Sequence, residues 1–223
     1  YGSMRFIVDS LDEFIPSIPP PGGSPARQSA TTQVTVKVGE WPGNVFRVWM
    51  PESVGELWSN WSRAVHQHFE RTKKAGLIWK YSGNPDALIE VELVPLERSL
   101  LVESRVTNRS PADLLRVTVS HCLQCSKAPD FSCADFSRMY IRPNGEWHML
   151  ASLKPTSDYP FFYRSGFFSE GGIGWQDGKL AHCNQAVEAD FPLIVCVSKD
   201  GNRCVATAAE DYWFLFHLSL IHI

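Results

Sequence analysis

Residues 87–107 read ALIEVELVPLERSLLVESRVT, and their pattern sets the architecture. Ile89, Val91 and Leu93 share one face of an extended chain while Glu90 and Glu92 take the other, the period of two of a half-buried strand. If Pro95–Arg98 forms a four-residue loop, Leu93 faces Leu100 and Val91 faces Val102, so the apolar faces of the two arms agree. A slip of one residue would set those side chains against the polar set. The segment is therefore predicted to be an antiparallel hairpin.

The same alternation runs outward from it. Val34, Val36 and Val38 alternate with Thr35 and Lys37, and Val45–Met50 follows the turn formers Trp41-Pro42-Gly43-Asn44. After a turn at Asn108–Asp113, Leu115–Cys125 reads as the next strand, and Asn144-Gly145 and Asp200-Gly201 are two-residue hairpin signals. Val54, Leu57, Trp58, Trp61, Val65 and Phe69 fall at helical spacing behind Pro51-Glu52-Ser53, whereas Val65–Arg71 alternates and turns through Lys73–Gly76 into Leu77–Tyr81. The prediction is all-β: a single antiparallel β-sandwich or jelly-roll barrel with a short helix near 52–62, a strand from 65, and long loops.

Domain organisation follows from the ends. Tyr1-Gly2-Ser3 ahead of Met4 reads as a vector scar, and the prolines and glycines of 14–30 read as an irregular lead-in, so 1–30 precede a β-sandwich domain over 31–217. Residues 218–223 match translated adapter read-through as well as they match a native apolar strand.

Composition excludes several classes. The chain has 223 residues, 44% of them hydrophobic, with 21 Lys+Arg against 24 Asp+Glu for a net charge of −3, an ordinary globular balance without the basic excess of a nucleic-acid protein. It carries no run of eighteen apolar residues and no glycine-rich phosphate loop, so neither a membrane span nor nucleotide chemistry is expected. No secretory leader is read, which points to the cytoplasm, and the oligomeric state is left open. Six cysteines fall below the density of a disulfide scaffold, so free thiols are expected. Cys122-Leu-Gln-Cys125 ends a strand instead of opening a helix, which argues against a redox pair, and no second CxxC completes a zinc site. With a two-residue turn at Asp200-Gly201, Cys196 faces Val205 and Cys204 faces Val197, on opposite sides of the sheet, whereas a one-residue bulge would bring the two cysteines together.

Three groups of residues carry candidate chemistry. His66, His68 and Glu70 share one face of a strand over 65–71, and Pro143-Asn144-Gly145-Glu146-Trp147-His148 adds a third imidazole. These fragments resemble the two cupin motifs, although Glu70 follows His68 sooner than in that family and Ser152 stands where its second motif carries Asn. The resemblance implies a divalent transition metal held by His66, His68, Glu70 and His148, with an open position for substrate. A second group, His121, Asp130, Asp135, Arg138 and Tyr140, follows an apolar strand, the usual place for a rim site. The third is aromatic: Trp41, Trp58, Trp61, Trp79, Trp147 and Trp175 sit by turns or on polar faces, where flat rings suit sugar stacking. Tyr159–Arg164 and the glycine-rich 171–178 read as a long loop, with His182 at its exit.

The leading expectation is a carbohydrate-directed β-sandwich protein that binds or processes a saccharide across an aromatic groove. Its contacts would be His121, Asp130, Asp135, Arg138, Tyr140, Trp147, Trp175 and His182, with no cofactor; the catalytic residues, if any, are not identified. The alternatives are the cupin-type metal enzyme and a non-catalytic interaction module with a Trp-rich interface.

Overall fold

Alternation in the sequence becomes alternation in burial. Val34, Val36 and Val38 are buried while Thr35 and Lys37 are not, and Ile89, Val91 and Leu93 are fully buried beside half-buried Glu90 and Glu92. The computed structural model describes residues 2–8, 14–17, 32–39, 41–55, 57–59, 67–73, 76–114, 117, 119–133, 135–153, 161–164, 175–176, 179–180, 186–190, 193–209 and 214–216. Their strands are β1 (Gly2–Val8), β2 (Phe14–Ser17), β3 (Gln33–Val38), β4 (Val45–Val54), β5 (Trp58–Ser59), β6 (Gln67–Arg71), β7 (Leu77–Tyr81), β8 (Ala87–Pro95), β9 (Ser99–Asn108) and β10 (Val119–Lys127). There follow β11 (Met139–Ile141), β12 (His148–Met149), β13 (Phe161–Arg164), β14 (Trp175–Gln176), β15 (Lys179–Leu180), β16 (Ala186–Ala189), β17 (Leu193–Val197), β18 (Cys204–Ala209) and β19 (Phe214–Phe216).

Nine strands form one antiparallel sheet in the order β12-β11-β17-β18-β1-β9-β8-β7-β6. A second antiparallel sheet runs β10-β4-β3-β2, with β5 paired to β4. One core joins them: Val34, Val36, Phe46, Val48 and Met50 from the smaller sheet pack with Trp79, Ile89, Val91, Leu93, Leu100 and Val102 from the larger. Two sheets burying their inner faces against each other make a β-sandwich. Each large apolar side chain so buried contributes about 1.5–3 kcal/mol. The turns β3–β4, β8–β9 and β17–β18 and the β10–β11 connection lie at one end of the sandwich; the β11–β12 turn lies at the other. Among the described residues no helix is long and apolar enough to cross a membrane.

The structure departs from the sequence reading in four places. The expected helix near 52–62 is absent from its described part: β4 runs to Val54, Gly55 takes a positive φ, and Trp58 pairs back on Val54. Pairing of Ser53 and Val54 with β10 on one side and β5 on the other outweighs the local helical spacing. The β8–β9 turn is shorter than drawn, because Leu96 N donates to Ser99 O at 2.7 Å, so Leu93 pairs with Val102 and Val91 with Ser104. A shift of two residues keeps every side chain on its face, so the alternation could not distinguish the two registers. Within 1–30, residues read as scar and lead-in contribute strands. β1 lies between β9 and β18, and β2 is an edge strand, where Pro16 withdraws no ladder hydrogen bond the sheet needs. Finally, Phe161–Arg164, read as loop, pairs in parallel with β16 and antiparallel with β19.

Candidate functional site

The loops at the β3–β4 end bring Asp130 and Arg138 together. Trp41-Pro42-Gly43-Asn44 closes with Asn44 N donating to Trp41 O at 3.1 Å, and Gly43 takes φ +83, a value glycine adopts without steric cost. The turn buries Trp41, stacked 5.1 Å from Phe131, and aims buried Asn44 at Asp130. Asn44 Nδ2 donates to Asp130 Oδ2 at 2.8 Å, and Asp130 N donates to Asn44 Oδ1 at 3.1 Å. Arg203 Nη2 reaches the same carboxylate at 3.1 Å, and its guanidinium lies 5.6 Å from the centroid of the Trp41 ring. Arg138 Nη1 donates to the carbonyls of Asp130 and Val197 at 2.8 and 2.7 Å, and Nη2 to that of Ser132. Asp135, in contrast, accepts from Ser137 N, Ser137 Oγ and Cys133 Sγ, bonds that hold its carboxyl below the usual carboxylate range. These polar groups bind one another and the backbone of their own loops, so the cluster works as a clamp.

His121 lies apart from them, in the inter-sheet space. A bulge between Ser120 and Cys122 interrupts the β10–β4 ladder at this residue. His121 Nε2 stands 2.7 Å from Oγ of buried Ser104 on β9, and Nδ1 stands 3.4 Å from Trp49 O. A carbonyl accepts only, so Nδ1 carries the proton and Nε2 accepts from the Ser104 hydroxyl. Burial, partly offset by the Trp49 carbonyl, lowers the His121 pKa to about 4, and the imidazole is neutral at neutral pH.

No disulfide joins the described cysteines Cys122, Cys125, Cys133, Cys196 and Cys204. Desolvation pushes the Cys122 and Cys196 thiols up to about 12 and Cys125 higher still, the opposite of a reactive CxxC. Cys196 pairs with Val205 and Cys204 with Val197, as the turn at Asp200-Gly201 predicts.

Of the cupin-like residues, the three described ones, His68, Glu70 and His148, do not converge. On β6, His68 and Glu70 do share a face, 3.4 Å apart, with Lys80 also 3.4 Å from Glu70. His148 lies on β12, where its neighbour is Glu146 at 3.9 Å. β6 and β12 are the two opposite edges of the nine-stranded sheet, and His66 lies outside the described residues. No group of three His, Cys, Asp or Glu side chains suited to a metal occurs among the described residues.

The aromatic set divides. Trp41 and Trp79 belong to the core, the latter donating Nε1–H to Gln67 Oε1 at 3.0 Å and stacking on Tyr81. Trp61 and His182 lie outside the described residues, and Trp58 and Trp175 enter only as paired backbone. Trp147 is the exception, with 51% of its surface open. It stands on the β11–β12 hairpin, whose turn is built by Asn144 (φ 54) and Gly145 (φ 81), the pair of positive φ values of a type I′ turn. Tyr140 pairs with Met149 and Ile141 with His148; continuing that register sets Arg142 opposite Trp147, so Tyr140, Arg142 and Trp147 share one face. Asp190 braces the tip. Its Oδ2 accepts from Gly145 N at 2.8 Å, its N–H donates to Arg142 O at 2.9 Å, and Arg142 Nε donates to Gly145 O at 3.1 Å. Of the expected saccharide contacts, then, Tyr140 and Trp147 meet on one hairpin, and Asp130 and Arg138 meet in the clamp.

Sequence reasoning missed Asn44, Ser104, Arg142, Asp190 and Arg203. Asn44 and Arg203 sit at recognised turns and could have been flagged. Nothing local marks Ser104, Arg142 or Asp190.

Fold and site together define an antiparallel β-sandwich with an exposed indole on a braced edge hairpin. No family model, no curated protein and no solved structure matches the chain.

Proposed function

We propose that this protein is a carbohydrate-directed β-sandwich that engages a saccharide on the β11–β12 hairpin, with Trp147 as the stacking ring. The observation that carries the reading is the half-exposed indole of Trp147, held by a two-residue turn and by Asp190. A large apolar ring left in water on a rigid support favours a ligand with an apolar face and polar edges, and the C–H face of a pyranose is such a surface. Tyr140 and Arg142 flank the ring on its own face, whereas the Glu146–His148 pair lies on the opposite face of the hairpin. In this reading Asp130, Asp135 and Arg138 are assigned to the clamp, because Asp130 Oδ2, Asp135 Oδ1 and the Arg138 guanidinium bond to their neighbours there.

One ring contacts one sugar unit, so affinity in the millimolar range is expected, equivalent to about 4 kcal/mol. Tryptophan fluorescence titrated with a panel of oligosaccharides should respond, and Trp147→Ala should abolish the response while leaving the far-ultraviolet spectrum of the sandwich unchanged. A flat titration across the panel refutes the proposal. Capture of a protein partner that depends on Trp147, without any saccharide response, would assign the hairpin to the interaction-module alternative.

A further inference from the structure

We infer that Asn144 is a spontaneous deamidation site in which the attacking backbone nitrogen, Gly145 N, is engaged by the Asp190 carboxylate. Loss of an asparagine amide begins when the following residue's backbone nitrogen attacks the side-chain Cγ, and a glycine there presents no side chain to obstruct the approach. Asn144-Gly145 is the only Asn-Gly in the chain. Both residues are exposed, and no hydrogen bond ties down the Asn144 amide among the described residues. Gly145 N–H points at Asp190 Oδ2, 2.8 Å away, within reach for proton transfer to a carboxylate.

The step balances without an oxidant or reductant. Gly145 N gives its proton to Asp190 and bonds to Asn144 Cγ; the bond from Cγ to the amide nitrogen breaks; that nitrogen leaves as ammonia with the proton returned through Asp190. The cyclic imide that results is opened by water at either carbonyl, giving aspartate or isoaspartate. The other described asparagines lack the combination. Asn44 is buried and bonded to Asp130, Asn84 precedes Pro85, which has no N–H, Asn108 is held at both ends of its amide, and Asn202 precedes the long side chain of Arg203. The comparable Asp200-Gly201 turn has its carboxylate engaged by Ser198, Asn202 and Arg203.

The product alters the face that presents Trp147. Aspartate adds a negative charge beside Asp190 and Glu146, and isoaspartate inserts a methylene into the backbone of the turn whose geometry sets Arg142 opposite Trp147. Ageing of the chain would therefore disorder this hairpin before the rest of the sandwich.

The test is incubation of the folded, full-length chain in warm, mildly alkaline buffer, followed by peptide mapping with mass spectrometry and isoaspartate-specific methyl labelling. The expected result is a gain of about one mass unit, with methyl label, in the peptide carrying Asn144, and none in those carrying Asn44, Asn84 or Asn108. Asn144→Gln should block it. Asp190→Asn should slow it several-fold and give a steeper dependence of rate on hydroxide, whereas Asp190→Glu, which keeps a carboxylate, should retain the wild-type profile. The inference is overturned if Asn144 stays intact in the folded chain while the urea-unfolded chain converts, since the hairpin then protects it. It is also overturned if Asp190→Asn matches wild type in both rate and pH profile.

Discussion

Acidification should destabilise this sandwich through one imidazole. His121 sits between the sheets with a pKa lowered from 6.5 to about 4, chiefly by desolvation. The unfolded chain therefore binds the proton more readily than the folded one, so the contribution is whole above pH 6.5 and is lost progressively as the pH falls toward about 4. Stability at pH 5.5 should lie about 1 kcal/mol below that at pH 7.5, and at pH 4.5 about 2–3 kcal/mol below. Urea unfolding at each pH, for wild type and for His121→Gln, isolates the effect, because all other titrating groups cancel in the difference. His121→Gln keeps polar atoms near Ser104 Oγ and the Trp49 carbonyl but cannot be protonated in this range. The wild-type-minus-variant stability should fall by the amounts above as the buffer is acidified. A difference that is flat from pH 7.5 to 4.5 would refute this account, since it would mean that protonated His121 is accommodated in the inter-sheet space at no cost.

Three further outcomes are expected from the same geometry. Asp130→Ala leaves buried Asn44 Nδ2 without its acceptor and Arg203 with Asp200 as its remaining carboxylate, and should cost about 2 kcal/mol in chemical denaturation, with no change in the saccharide titration. Gly43→Ala forces a side chain into φ +83 and should cost about 1 kcal/mol; no atom lies within 4 Å of the added methyl, so the effect is one of backbone strain and not of crowding. At neutral pH a disulfide reagent should react slowly with Cys122, Cys125 and Cys196 in the folded chain and rapidly once urea is added, because burial keeps their thiols protonated; fast labelling of the native protein would contradict this packing.

What the residues determine without help from the fold is what depends on near neighbours along the chain. Alternation in Val34–Val38 and Ala87–Leu93 dictates which side chains enter the core, since the pleat has a period of two whatever the strand pairs with. The turns at Trp41–Asn44, Asn144-Gly145 and Asp200-Gly201 are equally local, being set by which residues tolerate a positive φ. Contacts between distant segments supplied the rest. The extension of β4 to Val54 through the helix-like spacing came with pairing to β10 and β5, and alternation alone cannot distinguish the two registers of β8 and β9, between which a tighter turn decides. Whether titratable groups meet was settled the same way. The cupin-like fragments fall on opposite edges of a sheet, while Asp130 finds Arg203 across 73 positions and Gly145 finds Asp190 across 45. The physical reason is that facing is encoded locally by side-chain period, whereas proximity depends on strand order, which no single segment carries.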